Sequence, residues 1–399
     1  MSTATELLTI EEALALVLER VTPLEAQEVP LESAAGRVLA EDARSTVDLP
    51  PFPASAMDGF ALRAADVPAT LPVVARVAAG RPATRALQAG EAMAIATGGV
   101  VPDGADSVVP IEDVEEAGDT VGVPAPVGLG ANIRPRGGDL RAGETVVVAG
   151  TRLGPAHVGA LAAAGLSSVR CHRPPRVVVV VTGTELAAPG EPLAPGEIYD
   201  ANGFILATQV RSAGADVERL PPVKDDADAT RAAIERGLAA DVLVTTGGVS
   251  VGVYDLVRAA EADLGVEEVF WRVAVRPGKP VAFGVRGRTL VFGLPGNPVS
   301  SLVGFELFVR PALLALQGVA SPGIGYRPGR LARATRRTAA RDSLLRARTR
   351  VDGGDVVVEP LSGQESHMIA QAATADALVL VPRGEGELEA GSTVSYLPL

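Results

Sequence analysis

Apolar runs of two kinds alternate between residues 177 and 316. Residues 177–181 are five consecutive valines, the pattern of a strand covered on both faces in a parallel sheet. Residues 202–213 follow with helical spacing and stop at Gly214, a residue suited to the left-handed position after a helix. The alternation repeats, with strands at 216–220 and 241–246, helices at 230–239 and 255–264, and further strands at 269–275, 281–285 and 289–292. A long apolar helical stretch, 299–316, is entered through Pro298. It is expected to break or kink near Pro311, which has no N–H to donate. The alternation predicts a doubly wound α/β sheet with helices on both faces.

The flanks follow other periods. Thr9-Ile10-Glu11-Glu12 has the form of a capping box, Thr9 as N-cap and Glu12 three residues on. The helix it opens has Leu14, Val17 and Leu18 as its apolar stripe. Residues 47–61 are Pro-rich and irregular. From 73 to 148 short apolar runs divided by Gly and Pro predict a β subdomain, and 155–165 reads as a short Ala-rich helix. Arg173-Pro174-Pro175 marks a boundary. Beyond about Pro328 the runs 344–350, 356–360, 377–382 and 393–396 predict a small β-barrel or sandwich. The expected organisation is an N-terminal region over 1–172, with a helical linker and a β-rich lid at 50–145, an α/β domain over 173–322, and a C-terminal β domain over 323–399. No repeat of fixed period is present.

Composition narrows the chemistry. Of 399 residues 47% are hydrophobic and 21% charged, so the chain can build globular cores. The net charge of −12 argues against non-specific binding to nucleic acid or an anionic membrane. A local Arg and Lys cluster can still hold a small anion once salt screens the distant acidic surface. A single cysteine, Cys171, excludes disulfide frameworks and thiolate metal clusters. Cys171-His172 reads as a structural turn before the proline pair. The three histidines, His157, His172 and His367, show no metal-ligand spacing, so any metal here is a hard cation on carboxylates and phosphates. The N-terminus lacks the features of a signal peptide, and no run of about 18 apolar residues predicts a membrane span. The expected location is the cytoplasm.

Ligands of open α/β sheets bind beyond the carboxyl ends of the strands, and three polar motifs stand at predicted strand ends. Thr182-Gly183-Thr184-Glu185-Leu186 permits close backbone approach at its glycine and offers Thr and Glu oxygens, although a polar turn would look the same. In the segment from Thr245 to Asp255, Gly247 and Gly248 end a strand, Ser250 and Gly252 come next, and Asp255 opens a helix. Exposed N–H groups and the helix N-terminus favour an anion there. Asp255 is either the N-cap of that helix or a ligand that holds a divalent cation against the anion. The third motif is double. Arg276-Pro277-Gly278-Lys279-Pro280 places two cations on a stiffened loop. Pro295-Gly296-Asn297-Pro298 enters a helix whose first N–H groups are free, with Ser300 nearby. Elsewhere, Asp58 stands alone in Ser55-Ala56-Met57-Asp58-Gly59-Phe60-Ala61. Asn132-Ile133-Arg134-Pro135-Arg136-Gly137-Gly138-Asp139 joins two cations to a carboxylate. Each of these two would, by itself, read as a turn or hairpin.

In this order, together with the Thr97-Gly98-Gly99 segment, these motifs resemble the molybdopterin molybdenumtransferase family, which includes MoeA and gephyrin E-domain-like proteins, over nearly the whole chain. The resemblance implies an N-terminal helical and β part, a molybdopterin-binding α/β domain and a C-terminal β-barrel. It implies a reaction in which adenylylated molybdopterin and molybdate give molybdenum cofactor and AMP. Arg276, Lys279, Ser300 and Pro295, with Arg346 from the tail, would cradle molybdate. Gly247, Gly248 and Ser250 would seat the pyrophosphate, and Asn297 belongs to the Pro295–Ser300 loop on the oxometalate side. Mg²⁺ would be held by Asp255 with Glu185 and Asp225, Asp226 being equally placed by spacing. Asp58, Thr97 and Asp139 match cleft positions of the family. Because the N-terminal part of one subunit faces the α/β domain of the other in this family, a homodimer is implied, and the upstream adenylyltransferase is a further partner. Departures are Arg276 where lysine is usual, Gly99 where alanine is common, Ser343-Leu344 for an acidic and an aromatic residue, and Ala370-Gln371 for a serine pair.

Two other readings remain. An adenylyltransferase that makes the adenylylated pterin carries a similar glycine loop, but usually in a lone α/β domain. A scaffold that binds the pterin without turnover would have no electrostatic need for Asp58, Asp255 and Lys279.

Overall fold

The computed structural model describes residues 7–247 and 256–399. The chain forms two compact units. One gathers Met1–Gln27, Gly36–Ala40 and Cys171–Leu399; the other gathers Glu28–Ala35 and Glu41–Arg170.

The larger unit is built on a six-stranded sheet in the order Asp216–Arg219, Arg176–Val181, Val242–Thr246, Thr289–Leu294, Ala282–Arg286, Glu267–Trp271. The first four strands run parallel, Ala282–Arg286 runs against them, and the edge strand Glu267–Trp271 again shares their direction. The valine run explains how the sheet is covered. Val177, Val179 and Val181 join the core that includes Ile10, Leu206 and Phe305, while Val178 and Val180 join Ile234 and Val257 on the other face. Each such buried side chain contributes about 1.5–3 kcal/mol of transfer free energy.

Register sets where the loops leave this sheet. Val181 pairs with Thr246, and Thr246 pairs with Leu294. The three central strands therefore end level, and the loops beginning at Thr182, Gly247 and Pro295 depart from one row.

Several expectations are corrected. The strand at 269–275 ends at Trp271, where Arg272 adopts φ 84. Trp271 lies between the guanidinium groups of Arg258 and Arg272, at 4.4 and 3.7 Å from its ring centroid. Val275–Arg276 leaves this sheet and pairs with Asp342 and Ser343. The 298–316 helix is interrupted before Pro311, by a π-helical turn over Phe305–Val309, which accommodates the N–H that proline lacks. This helix has 19 residues and a mean hydropathy of 1.6, enough to cross a membrane by length and composition alone, but most of it is buried inside the protein. Its apolar character matches its burial, with Phe305, Leu307, Phe308 and Val309 all inside the core. The first helix, Ile10–Leu18, carries the expected capping box, Glu12 N–H to Thr9 Oγ1 at 3.1 Å and Thr9 N–H to Glu12 Oε2 at 2.8 Å. Its buried stripe is Ile10, Ala13 and Val17, with Leu14 and Leu18 at the margin. Cys171 lies buried in a strand, Ser168–His172, and not in a turn.

The tail is a closed five-stranded barrel of Asp342–Asp352, Asp355–Pro360, Arg327–Leu331, Thr393–Pro398 and Ala377–Val381, the last pairing back to the first. Arg327–Leu331 escapes the hydrophobic pattern because its sequence, RPGRL, has one apolar side chain that faces the core. The smaller unit holds a six-stranded sheet in the order Ser107–Pro110, Gly59–Leu62, Ala92–Ile95, Ala69–Val77, Thr120–Val123, Glu115–Ala117. Phe60 and Leu62 pack on one face, and Ala61 and Met93 on the other.

At the start of the α/β segment Arg173 grips Asp241 with both guanidinium ends, at 2.6 and 2.7 Å, and also Glu25. Burial pushes the Asp241 carboxyl up, but the bonds from Arg173 and from the Arg176 N–H outweigh it and hold the group below the ordinary carboxylate range. A depressed native value contributes stability above the unfolded value near 4 that is lost as pH falls through the native one. Asp241→Asn is therefore expected to cost about 2 kcal/mol at neutral pH and to flatten the loss of stability on acidification, as read by urea unfolding at pH 7 and at pH 3.

Candidate active site at the strand ends

The level strand ends and their glycines create a crevice of about 670 Å³. Gly247 has φ 90, and a Cβ there would lie 2.5 Å from the Thr182 carbonyl oxygen, so the first two loops touch backbone to backbone. A Cβ on Gly296 would lie 3.6 Å from Gly247 Cα, which brings in the third loop. Asn202, the first residue of Asn202–Ser212, ties them together. Its amide nitrogen donates to Thr246 Oγ1 at 2.9 Å and to the Gly296 carbonyl at 2.8 Å, and the Thr246 hydroxyl donates to the Pro295 carbonyl at 3.0 Å.

Three carboxylates line this crevice. Glu185 folds back over Gly183, where a Cβ would lie 2.7 Å from Glu185 Oε2. Asp225 accepts a 3.0 Å bond from the Thr184 hydroxyl at Oδ2. Asp226 instead caps the helix Ala227–Gly237 through the Ala229 N–H at 2.8 Å, so of this pair Asp225 faces the crevice. Asp200 is 2% exposed, accepts from the Gly203 N–H at 2.8 Å and pairs with Arg219 at 3.2 Å. Asn297 also lines the crevice. Gly248, Ser250 and Asp255 lie outside the described residues.

The basic loop forms a second locus. Arg276 is exposed at the end of its short strand. Gly278 has φ 106, and a Cβ there would lie 3.5 Å from the carbonyl oxygen of the buried Ser300. Close passage of the loop over Ser300 thus sets Arg276 and Lys279 beside the start of the 298–316 helix. Val299 N–H, expected to be free, already donates to the Ser366 carbonyl at 3.1 Å.

In the smaller unit, Asp58 sits between Ala54–Ser55 and Gly59–Leu62. Its Oδ1 accepts from Thr97 N–H at 2.7 Å and from the Thr97 hydroxyl at 3.1 Å, leaving Oδ2 outward. A Cβ on Gly59 would lie 1.9 Å from the Val109 carbonyl oxygen, so only glycine permits this turn. The loop carrying the exposed Asp139 is anchored by Asp48, which accepts from Arg136 Nε at 2.6 Å and Ala142 N–H at 2.9 Å. The Ala142 N–H and then the Arg136 guanidinium hold the Asp48 carboxyl below its ordinary range.

Family models match the chain along its length: a MoeA N-terminal region (domains I and II) over 8–165, a probable molybdopterin binding domain over 178–315 and a MoeA C-terminal region (domain IV) over 328–399. Molybdopterin molybdenumtransferase 2 of Mycobacterium tuberculosis is 38% identical over 387 residues, covering 93% of this chain and 94% of the relative. The chain belongs to the MoeA family of molybdopterin molybdenumtransferases. The Haemophilus influenzae molybdopterin molybdenumtransferase is 33% identical, with 98% of each chain covered. A crystal structure of the molybdopterin biosynthesis MoeA protein from Pyrococcus horikoshii superposes with a TM-score of 0.82 at 32% identity, covering 98% of this chain and 99% of that one.

Within this MoeA chain Arg346 is placed differently from expectation. It is 1% exposed, and its guanidinium donates to the carbonyls of Met368, Gly363 and Glu365 at 2.5, 2.5 and 3.1 Å. Burial pushes its pKa down. A group so occupied holds its own loop. Asp200, Asn202 and His367 also line the crevice, and no sequence motif singles them out. Asn202 reads there only as a helix start. His367 comes from the barrel, which no spacing signals.

Gly247→Ala is expected to lower the affinity of the crevice for AMP at least tenfold, since a methyl group must displace the Thr182 carbonyl. Calorimetric titration with AMP checks this. An unchanged dissociation constant would mean the loops do not meet through Gly247.

Proposed function

We propose that this chain is a molybdopterin molybdenumtransferase that acts in molybdenum cofactor biosynthesis. It takes adenylylated molybdopterin and molybdate and releases AMP. The observation that carries the reading is the separation of two loci on one sheet edge: a carboxylate-lined crevice at Gly247, and a basic loop over Ser300.

The two loci suit two anions. The pyrophosphate of the pterin nucleotide sits at the glycine loops and Asn297; Gly248 and Ser250 belong to the same motif. Molybdate, the substrate oxyanion, sits at Arg276, Lys279 and Ser300, with Pro295 stiffening the wall between. Two like unit charges about 4 Å apart repel by roughly 4 kcal/mol at an effective dielectric near 20. Fixed cations on one side and positioning on the other lower that cost.

Glu185 and Asp225 offer hard oxygens at the crevice, the sequence motif adds Asp255, and carboxylates of this kind suit Mg²⁺. When bound, such an ion neutralises phosphate charge and polarises the phosphoanhydride. The chain's own residues bind and orient. Asp225 is aimed by Thr184, and Asn202 keeps the two phosphate-facing loops at fixed separation.

Asp58, Thr97 and Asp139 complete the site across a homodimer in the cytoplasm, and the upstream adenylyltransferase supplies the substrate. The adenylyltransferase reading has less support, because a lone α/β domain suffices for that reaction and this chain adds the Asp58 unit and the barrel. A pure scaffold would not keep Asp58 aimed by two bonds from Thr97.

Incubation with adenylylated molybdopterin is expected to release AMP only when molybdate and Mg²⁺ are both present. AMP formation independent of both, or ATP-driven adenylylation of molybdopterin, would contradict the proposal. Asp58→Asn and Glu185→Gln variants, each inactive alone, are expected to regain about a quarter of wild-type activity when refolded together, if sites are shared across a two-fold dimer. No recovery would place both residues in one subunit's site.

A further inference from the structure

The barrel supplies one wall of the crevice. His367 and Ile369, on the loop after Asp355–Pro360, line it together with the strand-end loops. That loop has no regular structure from Leu361 to Met368, and one buried side chain holds it. Arg346 donates to the carbonyls on either side of His367, those of Glu365 and Met368, and to that of Gly363. Gln364 answers with a bond from Nε2 to the Arg346 carbonyl at 2.9 Å, while its Oε1 accepts the Arg346 N–H at 3.0 Å. Gln371, one of the departures from the family pattern, packs over Gly363 (φ 68) and with its amide nitrogen inward donates to the Ser362 carbonyl at 2.7 Å. The Ser366 carbonyl then receives the Val299 N–H, which docks the loop on the helix that begins at the crevice. His367 itself is exposed.

His367 adds a donor able to carry charge, where Thr182 and Asn297 offer only neutral ones. The Asn202 amide hydrogens and the Thr246 hydroxyl are engaged among the loops. The Tyr199 hydroxyl donates to the Glu191 carbonyl at 2.8 Å. Among the described lining residues Glu185, Asp200 and Asp225 are acidic, there is no lysine or arginine, and His367 is the one side chain able to carry positive charge. A crevice that receives a polyanion needs donors of that kind facing it.

We propose that His367 is a substrate contact, donating a ring N–H to a phosphate oxygen of the adenylylated pterin, and that Arg346 is the positioning residue that holds it there. The proposal rests on the crevice being the seat of the pyrophosphate. Arg346 acts on this contact through the loop.

The test uses the full-length protein with Mg²⁺, AMP as the binding probe and adenylylated molybdopterin as substrate. His367→Gln, on an exposed loop position, is expected to raise the AMP dissociation constant and the KM about tenfold, with kcat changed less than threefold. His367→Lys is expected to restore most of the affinity. Arg346→Lys, which keeps charge but loses the planar fork, is expected to give the same KM defect with an unchanged molybdate requirement, and new protease cleavage within 361–368. Wild-type AMP affinity in His367→Gln overturns the inference while leaving the crevice assignment intact. A molybdate-concentration defect in Arg346→Lys, without loss of AMP affinity, overturns the positioning role. If the wild-type protein neither binds AMP nor releases it, the functional reading beneath both fails.

Discussion

The crevice depends on one constraint, the level ending of three parallel strands. Val181, Thr246 and Leu294 sit in one hydrogen-bonded row, so the loops beyond them leave the sheet side by side. The first two lie in contact only because Gly247 has no side chain, and the third passes beside Gly247 at Gly296. Asn202 then fixes their separation with two bonds. A one-residue slip in either pairing would turn the loop residues to opposite faces and disperse Glu185, Asn297 and Gly247.

Electrostatics divide the work between two loci. Acidic side chains gather where a divalent ion and a pyrophosphate would meet, and the two cations of the basic loop are held apart from them over Ser300. The division has a structural cause. Arg276 leaves the α/β sheet to pair with the first barrel strand, so the basic loop is suspended between the sheet and the barrel. The barrel strand that begins at this pairing also carries Arg346, and through the 361–368 loop it reaches the helix start that Ser300 shares. The barrel therefore bears on both loci.

Much of this was legible in the amino-acid pattern. Five consecutive valines specify a strand buried on both faces, and Thr9 with Glu12 specify a helix start. Gly247 marks a backbone approach that no larger residue permits, and Gly278 a positive φ that side chains rarely adopt. What was not legible depends on tertiary context. Asp225 and Asp226 are neighbours of one type, and only the path of the helix Ala227–Gly237 decides that one caps and the other faces the crevice. Arg346 in a basic segment resembles an anion ligand, yet burial turns it inward to carbonyl groups. His367 has no local signal, since it meets the crevice through a barrel closed by pairings between residues 343–347 and 377–381, distant in sequence. Arg327–Leu331 is a strand by its neighbours and not by its own composition.

A crystal structure of the protein with AMP, Mg²⁺ and molybdate bound tests the division into two loci most directly. The account predicts the AMP phosphate beside Gly247 and Asn297, with the metal between Glu185 and Asp225, and a separate tetrahedral oxyanion within hydrogen-bond reach of Arg276, Lys279 and Ser300. Molybdate found in the carboxylate-lined crevice, or AMP phosphate on the basic loop, would contradict it.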